Sequence, residues 1–76
     1  MDTIIKVFKA KFPERTVQKI CAYKSGYLIG APLSDEDPNG TFTCNKDGSN
    51  ISYFNPNTDL DGFTKAIRDH EVYSKK

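Results

Sequence analysis

The sequence has no tryptophan, one histidine, one methionine and two cysteines. Each scarcity closes off a class of chemistry. Two isolated cysteines and one histidine lack the paired C-x-x-C spacing of a zinc site. The five glycines are scattered, and neither G-x-G-x-x-G nor G-x-x-x-x-G-K-[ST] occurs, so no phosphate-binding loop is encoded. No apolar run approaches the roughly 18 residues of a membrane span. Residues 1–12 alternate lysine with apolar residues, which predicts no secretory leader. These absences predict a non-enzymatic chain with no cofactor and no metal, in a reducing cytoplasm and away from membranes.

What is present suits one small domain, 1–76. Aromatic residues are 12% of the chain, five Phe and four Tyr, and most must be core, because a small domain has few other large side chains to bury. Charge is nearly balanced, 11 basic against 10 acidic residues. It is unevenly placed. Residues 1–24 hold Lys6, Lys9, Lys11, Arg15, Lys19 and Lys24 against Asp2 and Glu14, and the rest of the chain is net acidic. Lys6, Lys9, Arg15 and Lys19 are therefore a candidate basic face, although the overall balance disfavours nucleic acid.

Ile4, Ile5, Phe8 and Phe12 fall on one stripe of a helix that Pro13 ends. Residues 17–24 alternate as a strand, with Ser25-Gly26 as a hairpin turn and 27–33 as the returning strand. Residues 34–40 form an acidic loop containing Asp35, Glu36 and Asp37. Residues 41–45 and 50–54 make two more strands, joined at Asp47-Gly48. Thr58 starts a second helix, in which Leu60, Phe63, Ala66, Ile67 and His70 share a face and which frays near Tyr73. The order α-β-β-β-β-α predicts an α+β domain: a small antiparallel meander with both helices on one face. The open face would then carry part of the aromatic set, and Tyr23, Tyr27, Phe42 and Tyr53 are candidate partner-binding residues.

Three candidate chemistries fail on their own residues. Asn57-Thr58-Asp59-Leu60-Asp61-Gly62 matches the first half of a calcium loop, but position twelve is Arg68, where a bidentate glutamate is required. His70 has acids only at adjacent positions, which point away on a helix. Cys21 and Cys44 lie mid-strand, away from the electropositive setting that activates a thiol. They read as free thiols, with a disulfide between the strands as the alternative.

Several stretches also carry a pattern: Lys11-Phe12-Pro13; Ala22-Tyr23, Gly26-Tyr27-Leu28 and Ala31-Pro32; residues 41–51; Phe54-Asn55-Pro56; and residues 61–67. Together they resemble small proteins of phages and prophages of Gram-positive bacteria. The Asn45-Lys46-Asp47-Gly48 hairpin also resembles that of PepSY-type domains. The resemblance implies an accessory protein of virion assembly that binds a phage structural protein or a host factor inside the bacterial cell, or is carried in the virion. It transfers no catalytic residue. The alternatives are an inhibitor of a host defence enzyme and, behind it, a nucleic-acid binder; self-association is a further option for the aromatic face.

Overall fold

The computed structural model describes residues 2–34 and 40–75. The chain is α+β, as the pattern predicts, with two helices and a five-stranded antiparallel sheet. Helix α1 spans Asp2–Lys11, followed by strands β1 (Lys19–Tyr23), β2 (Gly26–Gly30), β3 (Thr41–Asn45) and β4 (Ser52–Tyr53). A short 3-10 turn at Pro56–Thr58 leads into α2 (Leu60–Asp69), and β5 (Glu71–Ser74) follows directly. The strand order is β4-β3-β2-β1-β5. Thus α2 carries the chain from one edge of the meander to the other.

The sequence pattern does not foresee β5. His70 caps the C-terminus of α2, its amide donating to the Ala66 carbonyl, and the chain then turns into an edge strand instead of fraying. Tyr73 pairs with Ile20 and Ser74 with Lys19. A bulge at Val72 brings Glu71 opposite Cys21.

The layers also differ from the expected ones. The helices do not share a face. Helix α1 buries Ile4 and Phe8 against Val17, Ile20, Ile29, Phe42, Cys44 and Ile51. Helix α2 buries Ala66, with Phe63 and Ile67, against Cys21 and Leu28. Successive strand residues point to opposite faces. Ile20 and Cys21 are both buried, as are Leu28 and Ile29, so the two central strands are covered on both sides. The predicted open face does not exist there.

Local chemistry sets the turns. The β1–β2 turn is Lys24-Ser25, one residue earlier than the spacing suggests, because Gly26 pairs with Tyr23 as the first residue of β2. Lys24 takes the left-handed backbone, φ 53°. Gly26 is required by contact: a Cβ there would strike the Cys44 carbonyl oxygen of β3. The β3–β4 turn closes through the Gly48 amide donating to the Asn45 carbonyl at 3.0 Å. Gly48 has φ 88° and lies under Ile4 and Val7 of α1. Asp47 accepts from the Ser49 hydroxyl at 2.6 Å and its amide at 2.9 Å, which hold its carboxyl below the usual carboxylate range.

Helix α2 begins at Leu60, later than the expected Thr58. Its cap is Asp59, whose Oδ1 accepts from the Gly62 amide at 3.3 Å. Of the expected apolar stripe, Phe63, Ala66 and Ile67 face the sheet, while Leu60 and His70, at the two ends, are exposed.

Candidate functional site

Two surface features gather side chains with binding chemistry. The first is an aromatic edge beside β4. Tyr53 pairs with Phe42 across the β3–β4 ladder, and their ring centroids lie 4.8 Å apart. Phe42 is wholly buried and also touches Phe8 and Phe12, at 5.0 and 4.8 Å. Tyr53 is 60% exposed and stands on this packed stack. The Arg15 guanidinium lies 5.0 Å from the Phe42 ring and 6.0 Å from Tyr53. Arg15 is itself buried, and its Nη1 donates to the Ala31 carbonyl at 3.0 Å.

The second feature is a groove of about 290 Å³ between the β1–β2 turn and α2. The Tyr23 hydroxyl donates to Asp59 Oδ2 at 2.5 Å. The Lys24 ammonium lies 4.0 Å from the same oxygen and 5.3 Å from the Tyr23 ring. The hydrogen bond to Asp59, first, and then burial push the Tyr23 phenol up to about 12. The Tyr23 hydroxyl, then the Gly62 amide, with Lys24 adding a small attraction, hold the Asp59 carboxyl below the usual range. Lys65 of α2 and its C-cap His70 complete the lining with Ala22, Gly62 and Ala66.

The structure separates the expected partner-binding aromatics. Tyr23 packs on the α2 side, while Tyr27 packs half-buried on the α1 side. Phe42 is enclosed by Phe8, Phe12 and Arg15 and has no surface to offer. Only Tyr53 of the four is broadly exposed. Asp35, Glu36 and Asp37 lie outside the described residues. The basic face is also divided. Lys6 and Lys9 are exposed on α1, Arg15 is buried, and half-buried Lys19 pairs with Glu71 at 3.2 Å.

Cys21 and Cys44 are buried free thiols on opposite faces of the sheet, so the alternative of a disulfide between them is excluded. In the calcium-like stretch, Asn57 and Thr58 belong to the 3-10 turn, Asp59 caps α2 and Asp61 lies in its first turn. Among the described residues no group of three or more His, Cys, Asp or Glu side chains is placed to hold a metal ion. No described helix is long and apolar enough to cross a membrane.

The sequence reading misses the roles of Asp59, Lys24 and Lys65. The cap is legible from Asp59, a favoured N-cap residue, standing directly before the apolar stripe that begins at Leu60. The Tyr23–Asp59 bond is not, because it joins elements 36 residues apart and depends on where α2 crosses the sheet. Comparison of the chain with family models, curated proteins and solved structures finds no match.

Proposed function

We propose that this chain is a non-enzymatic protein-binding module of the phage or prophage type, accessory to virion assembly. It would act in the cytoplasm of the bacterial host or travel with the virion. One observation carries the protein-binding part: Tyr53 is 60% exposed yet packs on the buried Phe42 ring and the half-buried Phe12 ring, with Arg15 behind it. A large ring already held in place loses little freedom on binding, and tyrosine is enriched at interface hot spots. The assembly part is supported by the sequence resemblance alone.

The test is retention from lysate. The immobilised protein is exposed to extracts of Gram-positive cells before and after phage infection. Portal, capsid or tail proteins should be retained only after infection, and Tyr53→Ala should release them. Retention of a host nuclease or signalling enzyme from uninfected cells would instead identify a defence inhibitor.

A further inference from the structure

We infer that the groove between the β1–β2 turn and α2 receives a carboxylate-rich segment of the protein partner; this rests on the protein-binding reading above. Cations reach the groove from two separate elements. Lys24 projects from the turn with its side chain 72% exposed, and Lys65 comes from the second turn of α2. The acid in the lining, Asp59, is engaged at hydrogen-bond distance by the Tyr23 hydroxyl and the Gly62 amide, with the Lys24 ammonium farther off at 4.0 Å. Asp69, one helical turn beyond Lys65, has its oxygens taken by Arg68 at 3.2 Å. Lys24 keeps that contact with Asp59 Oδ2 and is otherwise largely in solvent. Lys65 is exposed and attracted by Asp69 without a hydrogen bond to it, so both ammonium groups can turn to an incoming anion.

The shape selects among anions. Ala22, Gly62 and Ala66 are small, so a peptide backbone can come close while its side chains reach the lysines. Two lysines in a chain of net charge +1 give little of the extended cationic track that a nucleic-acid backbone needs. Charge complementarity at this site thus favours an acidic peptide.

The experiment needs no identified partner. Hexaglutamate is titrated into the isotope-labelled protein and amide shifts are followed by NMR, with hexaglutamine and an oligothymidylate as comparison probes. Hexaglutamate should shift the amides of Lys24, Gly62 and Lys65, and added salt should weaken it. Lys24→Gln combined with Lys65→Gln should weaken it roughly fivefold. Both side chains are exposed, so the double variant should keep its melting temperature. Tyr53→Ala, on the other side of the sheet, should bind hexaglutamate as the wild type does. Equal binding of hexaglutamine, preference for the oligothymidylate, shifts confined to other residues, or an unaffected double variant would each overturn the inference. The lysate test is separate: its failure removes the protein-binding reading, whereas failure with hexaglutamate removes only this use of the groove.

Discussion

The Tyr23 hydroxyl and Asp59 Oδ2 lie 2.5 Å apart and fasten the end of β1 to the cap of α2. One carboxylate therefore does two jobs, closing the helix N-terminus through Gly62 and holding the helix to the sheet through Tyr23. This pair fixes both walls of the groove. It also makes the contact open to measurement by titration.

A phenol that ionises at about 12 is expected in the native protein. The ordinary value is about 10. Folding favours the neutral phenol, so this contribution is full below about pH 10 and is lost as pH rises towards 12. Asp59 runs the other way. Its depressed carboxyl contributes fully above the ordinary carboxylate range, and the contribution fades as pH falls through the lowered value. Near-ultraviolet titration by rapid pH jump reads the phenol. Asp59→Asn should return it towards about 10; a wild type with no late-titrating tyrosine would show that the pair does not form.

Gly26→Ala should be poorly tolerated. The added methyl group would meet the Cys44 carbonyl, which is backbone in the middle of the sheet and cannot swing aside. Overpacking of this kind costs about 1–3 kcal/mol or more. Urea denaturation should show a lower midpoint with an unchanged slope. Ser25→Ala in the same turn should be nearly silent, since Ser25 is exposed.

The limits of the sequence reading follow from the same geometry. Helix α1 was legible because Ile4, Phe8 and Phe12 repeat at helical spacing and Pro13 ends the run. The β1–β2 and β3–β4 hairpins were legible from their turn residues. The two-sided sheet had a signal that alternation alone does not weigh. Leu28-Ile29 and Ile20-Cys21 are adjacent apolar residues, and neighbours on a strand face opposite ways. Strand β5 had almost none: Glu71–Ser74 is a short edge strand, mostly exposed, and its pairing is set by the long reach of α2 across the sheet. Arg15 reads as a surface cation in sequence because its value lies in partners sixteen and more residues away.

Arg15→Lys should therefore behave as a core substitution, although charge is kept. The guanidinium plane packs over Phe42 while Nη1 reaches the Ala31 carbonyl. An ammonium is a compact, strongly hydrated donor and cannot do both. A hydrogen bond from a charged group is worth about 1.5–3 kcal/mol, and a loss of this order is expected in chemical denaturation. The partly exposed Lys19–Glu71 pair gives the contrast. Glu71→Gln should cost no more than about 1 kcal/mol, less at high salt.

The two thiols should be silent in the folded protein. Cys21 is 2% exposed beneath α2 and Cys44 is 5% exposed beneath α1. Burial, the leading cause for both, raises their pKa; Lys19 opposes it weakly at Cys21, and the backbone at Tyr27 does so at Cys44. The reactive species is the thiolate, so both occlusion and the raised pKa slow attack on a disulfide reagent. Native protein mixed with Ellman's reagent should release colour slowly, at the rate of opening, and urea should expose both thiols at once. Because the sheet lies between them, mild oxidation should leave the monomer without an internal disulfide. A fast-reacting thiol in the native state would show that its covering helix does not pack as described. An intramolecular disulfide that forms without unfolding would show that Cys21 and Cys44 share a face, as a one-residue slip in strand register would bring about.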